Sequence, residues 1–537
     1  MTELSRREFV SRTAATGTAV VGVAALGAGS APAKGVPVAS GLPPMLTVRP
    51  ADPQYAGLTT GSNTRWVGTP DYIRIVSSAD DVVRAVQKAV DSGSKVVVRS
   101  GGHCDEDFVH NAEVRVIIDM AGLDHVGYDA RRRAFSVGPG ATLGRTYQTL
   151  YKGWGVAVPG GTCPTVGVGG HIVGGGYGAL SRSHGLTVDH LYAVEVVVVG
   201  ADGRAHKVVA TREADDPHRD LWWAHTGGGG GNFGIITNYW LRSPDARGDD
   251  PSDLLPRPPT ELLVSDVAWS WDSLTEHGFK RLVRNFGGWH ERNSAPDSPH
   301  LSLFSQLKTQ HKAAGGFRMS TQIDANVPDA EARLDAFLAA VNDGTGADYS
   351  VNDRSRVPWF YAVKEWFGFV EAAIARWKVK SSYLRKGMPP DQVDALYRQL
   401  TRDDYANPFA MVALVGFGGR INATPTDATA VVQRDSVLKL LYVTLWTDRS
   451  EDAAHVRWIR EAYADVYAAT GGVPRSNDVT DGAFINYCDA DLADPAINVS
   501  GTPWHDLYYG ANYPRLQRVK RKYDPNDIFS HSLSVKA

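Results

Sequence analysis

Three stretches of this 537-residue chain combine glycine with reactive side chains at spacings that suit cofactor chemistry. The first is Arg99-Ser100-Gly101-Gly102-His103. Adjacent residues without Cβ let consecutive backbone N–H groups converge on an anion and let a ligand approach the main chain. A pyrophosphate could sit there, although the pentapeptide alone reads equally well as a tight strand exit with an exposed histidine. The second stretch runs from Pro159 to Gly178 and includes Gly169, Gly170, Gly174 and Tyr177. Glycine in regular structure costs roughly 0.5–1 kcal/mol each against alanine. A loop wrapped around a planar cofactor would offset that cost. Within it Cys163 is flanked by Thr162 and Pro164, away from the apolar setting in which a structural cysteine sits. His171 reads as structural. The third stretch, Gly229 to Gly234, contains Gly231 and Asn232 and satisfies G-x-G-x-x-G. Ile235-Ile236-Thr237 then continues as strand where a nicotinamide site needs a helix, so that reading is rejected. No phosphate-loop, H-E-x-x-H or C-x-x-C pattern is present, and a metal site has no support.

The elements around these residues alternate. Ile73–Val76 reads as a strand, Ser78–Ser92 as a capped amphipathic helix and Lys95–Arg99 as a buried strand, together a βαβ unit. Further β-branched runs occupy Val114–Ile118, Ala134–Val137 and Val194–Val199. Pro244–Pro259 is charged and proline-rich and reads as a linker. Beyond it, strand-like runs (Leu301–Leu307, Phe317–Ile323, Met411–Gly416, Val437–Trp446) alternate with amphipathic helices (Asp329–Val341, Asp391–Leu400, Ala453–Ala468). The fold class is therefore α+β, with a large antiparallel sheet in the second half. The last stretch, Phe484–Phe529, is dense in tyrosine and tryptophan.

Composition narrows the function. The 56 Lys and Arg are balanced by 59 Asp and Glu, so no surplus of base exists to bind nucleic acid. Three cysteines cannot form a disulfide framework in a chain this long, and a special cysteine is then reactive or linked to something. Ser5-Arg6-Arg7-Glu8-Phe9-Val10 is a twin-arginine pattern, followed by a weakly apolar stretch and an Ala31-Pro32-Ala33 cleavage site. The segment is too polar and glycine-rich for a spanning helix. A secreted protein with no stable membrane anchor is expected, and export in the folded state suits a cofactor loaded inside the cell.

Several motifs in the same order resemble the berberine-bridge-enzyme-like branch of the vanillyl-alcohol oxidase/p-cresol methylhydroxylase flavoproteins, and within it the bacterial natural-product oxidases. They are Arg99–His103, the G-G-T-C-P at Gly160–Pro164, Gly174–Gly178, Ser181–His190, Asp220–Ala224, the G-G-G-G-N-F-G ending at Gly234, and the tail motifs from Asn486 to Phe529. The resemblance implies a two-part FAD-binding domain and an α+β substrate domain. The expected boundaries are a signal peptide at 1–33, the FAD-binding domain at 34–245, the substrate domain at 260–475 and a C-terminal segment, 476–537, returning to the FAD-binding domain. It implies FAD attached at two points, by His103 at the 8α-methyl and by Cys163 at C6. Arg99, Ser100, Gly101, Gly102, Gly169, Gly170, Gly174, Tyr177, Gly231, Asn232, Gly234, Ile235 and Tyr487 would line the cofactor. Two tethers would hold the ring in a cleft open enough for a bulky substrate. Cys104, beside His103, departs from the family pattern.

Relatives of this type use tyrosines beside the flavin as base, and Tyr487, assisted by Tyr177, matches those positions. A phenol of pKa ~10 needs a nearby positive charge or hydrogen-bond donors to act as base at neutral pH. Tyr442, three residues after Lys439, is a reserve candidate if it faces the cleft. Phe417 and Phe484 stand where some relatives carry tyrosine, which weakens any double oxidation. The expected activity is oxidation of a hydroxyl on a sugar or a polyketide-like metabolite, with dioxygen as the second partner and hydrogen peroxide as product. A dehydrogenase of the same fold, or a secreted binding protein that has lost flavin, are the alternatives. Oligomeric state is not legible in one chain.

Overall fold

The computed structural model describes residues 45–363 and 375–537. The twin-arginine segment lies outside them. Four short strands form the first sheet: β1 (Leu46–Val48), β2 (Tyr72–Ile75), β3 (Val96–Arg99) and β4 (Val116–Asp119). The intervening helix is Ala79–Asp91, started by the Ser78 hydroxyl, which accepts from the Asp81 amide at 3.1 Å. It buries Val82, Ala85, Val86 and Ala89 at helical spacing. The expected βαβ unit is parallel, but β4 is inserted between its two strands, so the order is β1-β2-β4-β3. All four residues of β4 are buried, which suits the central position of a parallel sheet.

A second sheet of five antiparallel strands is ordered β5-β6-β9-β7-β8, with β5 (Val126–Asp129), β6 (Ala134–Val137), β7 (Leu191–Val199), β8 (Ala205–Thr211) and β9 (Ile235–Leu241). The glycine-rich stretches connect into it on either side of β7 and β8. The Pro244–Pro259 connection is docked rather than loose: Leu254 and Leu255 are buried, and the Pro256 carbonyl accepts from the Ala157 amide at 2.9 Å.

The second half is built on seven antiparallel strands: β10 (Glu261–Ser270), β11 (Phe304–Gln310), β12 (Gly316–Asp324), β13 (Ser350–Pro358), β14 (Arg376–Leu384), β15 (Met411–Gly416) and β16 (Leu438–Trp446). Their order is β13-β10-β12-β11-β15-β16-β14. Helices Glu276–Arg292, Ala330–Asn342, Pro390–Thr401 and Asp452–Val466 pack together with this sheet. Register fixes the opposite face. Gln306, Val415, Lys439 and Tyr383 form one row across β11, β15, β16 and β14, and Lys308, Ala413, Leu441 and Ser381 the next. Because side chains alternate along a strand, odd-numbered residues of β14, β15 and β16 turn to this face and even-numbered ones to the helices.

The chain end returns to the first half. The Lys520 ammonium donates to the Asn232 carbonyl at 2.9 Å, and the Val535 amide donates to the Asn232 side chain at 2.8 Å. The tail thus braces the Gly227–Gly234 loop.

Candidate active site

A cavity of about 1040 Å³ runs between the odd-numbered face of the seven-stranded sheet and the glycine-rich turns of the first half. Its walls include Arg99, Ser100, Gly101, Gly102, His103, Cys163, Gly169, Gly170, Tyr177, Gly231, Asn232, Gly234 and Tyr487. His103 and Cys163, far apart in sequence, come to one hydroxyl. Thr165 Oγ1 is 3.1 Å from His103 Nε2 and 3.4 Å from Cys163 Sγ. The imidazole and the thiol therefore cannot be more than two hydrogen-bond lengths apart.

Close backbone packing brings these turns together. A Cβ on Gly101 would lie 2.4 Å from the Gly167 nitrogen, so the β3 exit and the Cys163 loop meet glycine to glycine. Gly102 follows at φ +77°, a conformation that other residues adopt only with strain. Arg99 is held by Asp119 at 2.6 Å, and the Ser100 hydroxyl donates to the Pro139 carbonyl at 2.6 Å. Gly170 is different: a Cβ there meets nothing within 4 Å and would project into open space. His171 accepts from the Gly161 amide at 3.1 Å, and burial holds its imidazole down at about 4, so it is a neutral brace for the loop.

At the other end the hydroxyls of Tyr177 and Tyr487 are 2.8 Å apart. Beneath them lies Lys439, fully buried, its ammonium 3.0 Å from the centroid of Phe484, 3.4 Å from that of Tyr177 and 5.1 Å from that of Tyr487. Among the described residues its nitrogen has no hydrogen-bond partner. Such a cation is attracted to ring faces, yet burial still drives the amine well below its ordinary range. Burial also raises both phenols, that of Tyr177 to about 12 and that of Tyr487 well above its ordinary value. Phe417 and Phe484 pack edge-on against Tyr177.

Three expected site residues lie elsewhere. Tyr442 is on an even-numbered position of β16 and turns to the helices, where its hydroxyl donates to Tyr467 at 3.2 Å and its ring packs on Tyr463. It does not face the cleft. Gly174 is not on the cavity wall; a Cβ there would collide with the Asn486 side chain, so its role is to admit the segment carrying Tyr487. Ile235 packs with Val197 and Val199 in the core, while its neighbours Gly234 and Ile236 reach the cavity. Conversely, sequence reasoning missed Lys439 as a site residue. Its signal was a lone charge in the apolar run Leu438–Trp446.

The residues present fit FAD: a long cavity, glycine turns at one end, and at the other a hydroxyl pair over a buried amine. Comparison with known proteins agrees. A family described as "FAD binding domain" matches residues 70–208, and one described as "Berberine and berberine like" matches residues 483–536. The chain is 49% identical to aclacinomycin-N/aclacinomycin-A oxidase of Streptomyces galilaeus, over 100% of this chain and 99% of that protein. It is 33% identical to hexose oxidase of Chondrus crispus, over 90% and 93% of the two chains. Among solved structures, a glycopeptide hexose oxidase complexed with teicoplanin is 50% identical with a TM-score of 0.89, covering 92% of this chain and 100% of that one. With FAD as its cofactor, the fold of the vanillyl-alcohol oxidase type and relatives matched along its whole length, the chain belongs to the berberine-bridge-enzyme-like FAD-linked oxidases.

Proposed function

We propose that this protein oxidises a hydroxyl of a sugar, free or carried on a larger natural product, with Tyr487 as base and FAD held by both His103 and Cys163. The observation that carries the reading is the Tyr177–Tyr487 hydroxyl pair above the buried Lys439, on the wall of the cavity that His103 and Cys163 also line. FAD bound there would supply the hydride acceptor and the route by which dioxygen is reduced to hydrogen peroxide.

The chain's own part is positioning and proton transfer. A buried phenol and a buried amine each resist carrying charge alone. Moving one proton from Tyr487 to Lys439 makes an ion pair with no net charge, so the two penalties partly cancel. Tyr177 then donates its hydroxyl hydrogen to the Tyr487 oxygen across 2.8 Å and holds it toward the cavity. That oxygen takes the proton of the substrate hydroxyl, which makes loss of hydride from the same carbon favourable. The sheet wall opposite is largely apolar, with Phe304, Met411, Ala413, Leu441 and Leu445, and places Gln306, Lys308 and Trp377 among them. Apolar surface with a few polar groups suits a sugar on an aromatic or aliphatic carrier. The relatives named for aclacinomycin and hexose support that class.

Double attachment is supported by the shared Thr165 contact, because the 8α-methyl and C6 lie on one edge of the flavin ring. Acid precipitation tests it: the pellet is expected to stay yellow and to lose colour in two steps through His103→Ala and Cys163→Ala. A colourless wild-type pellet contradicts the linkage. Peroxide release from sugars and glycosylated aglycones tests the activity, and rapid dye reduction with slow oxygen uptake would identify a dehydrogenase instead. Export is part of the same proposal and rests on Ser5–Val10. Replacing Arg6 and Arg7 by lysine is expected to leave the protein inside the cell.

A further inference from the structure

The residue after the flavin-bearing histidine and the residue after the base are both cysteine. Cys104 follows His103 and Cys488 follows Tyr487. Both border the cavity, Cys104 half-buried and Cys488 only 5% exposed, and both are free thiols. The two side chains are neighbours, and Cys104 is the first influence on the Cys488 thiol. The segments carrying them are fastened next to the sulfurs: Glu106 accepts from the Ala490 amide at 3.2 Å, and the Lys378 ammonium bridges Glu106 and Asp489, the latter at 2.7 Å. The segments carrying the two neighbouring thiols are thus fastened to each other, on the wall of the compartment where peroxide would be released.

We propose that Cys104 and Cys488 are a redox modification site: hydrogen peroxide converts them to an internal disulfide that ties the His103 turn to the Tyr487 segment. The source of the peroxide rests on the oxidase reading above; the cross-link itself does not. In the first step the Cys104 sulfur attacks peroxide, the O–O bond breaks, and a sulfenic acid and one water form. In the second the Cys488 sulfur displaces that hydroxyl, the S–O bond breaks, and the disulfide and a second water form. Two thiols lose two electrons, peroxide gains them, and both thiol protons end in water. Cys104 acts first because it is the more exposed. Contact with Cys104 and burial both push the Cys488 thiol up, so it stays protonated and leaves the first attack on peroxide to Cys104.

The holoenzyme, reduced and desalted, is treated with hydrogen peroxide without substrate, alkylated and digested without reductant for mass spectrometry. The expected product joins the peptides of Cys104 and Cys488, is lighter by two hydrogens than their sum, and disappears on reduction. It is expected to be absent from both Cys104→Ser and Cys488→Ser. The wild-type measurement stands even if a variant folds poorly. Alkylation of both thiols after peroxide, a Cys104–Cys163 link, or Cys104 stopping at sulfinic acid would each overturn the proposal. A second arm photoreduces the flavin under nitrogen and then admits air. Cross-linking there supports the flavin as the peroxide source. Its absence, with cross-linking by added peroxide intact, counts against the oxidase reading and leaves the disulfide standing.

Discussion

In the proposed reaction Tyr487 is the base, its hydroxyl 2.8 Å from that of Tyr177 and its ring 5.1 Å from the buried Lys439. Tyr487→Phe removes the accepting oxygen and leaves the ring, so kcat is expected to fall by about 10²- to 10⁴-fold, the usual worth of a general base. The visible spectrum of the flavin should not change. Lys439→Met tests the charge. Without an ammonium to stabilise the phenolate, the basic form is reached only at higher pH, so the acid limb of the kcat/KM profile is expected to move up by at least about one unit, worth ~1.4 kcal/mol. A profile that stays in place would remove Lys439 from the mechanism. The two tyrosines were legible because they sit in glycine- and tyrosine-rich motifs. Lys439 was not, and the facing of the reserve candidate Tyr442 was left open, because β16 is apolar on both faces. Period-two alternation separates residues 439 and 442, but in a strand buried on both sides nothing in the pattern says which face meets the cofactor.

At the scale of elements, β14 carries two different faces of one device. Trp377 and Val379 line the cavity, while Lys378 and Lys380 on the opposite face hold a buried charge cluster with Glu106, Asp489 and Asp491. Arg460 completes it, 2.7 Å from Asp491. The cluster joins the turn after His103 to the segment after Tyr487, and so sets the spacing between these two residues. Removing one member strands its partners: Lys378→Met is expected to cost about 3–5 kcal/mol, read from urea unfolding midpoints. Glu106→Gln in the same chain should recover part of that loss, because the unpaired carboxylate is gone. Burial alone would raise Asp491, but the Arg460 hydrogen bond and the two lysine charges pull its carboxyl well below the usual range. A depressed carboxyl contributes stability that is complete above its unfolded value, ~3.9, and is lost as pH falls through the folded one. The protein is therefore expected to lose stability progressively below about pH 4. Strands β11, β12, β15 and β16 and three of the helices of this half were readable from periodicity to within a few residues, whereas β10, β13, β14 and the helix Glu276–Arg292 were not read. The cluster was not, since its members come from four separated segments whose meeting depends on register.

The whole molecule closes around the cavity with parts that are distant in sequence. Its walls come from the turn after β3, the Cys163 loop, the Gly229–Gly234 loop, the face of the seven-stranded sheet, and the tail at Phe529–His531. His531 stacks on Phe108 at 4.1 Å and reaches the Gly230 carbonyl at 3.0 Å, so even the last turn of chain is a wall. Motifs read from sequence named most of these pieces; how they close on one another was beyond any local pattern, because loop-to-loop contacts carry no periodicity. The closure has a thermodynamic consequence. A ligand that binds only the folded state adds RT ln(1 + [L]/Kd) to stability, about 1.4 kcal/mol for each tenfold rise in free ligand once the site is saturated. A ligand joined covalently cannot leave, so that dependence vanishes. With both tethers formed, the melting temperature of the wild type is expected to be insensitive to added FAD. In the His103→Ala, Cys163→Ala double variant it should rise with the logarithm of FAD concentration. Gly170→Val should emerge colourless, since its side chain would enter open space meant for the cofactor, and should melt low whatever FAD is supplied. A wild type that responds to free FAD as the double variant does would mean that the flavin is held by the cavity walls alone.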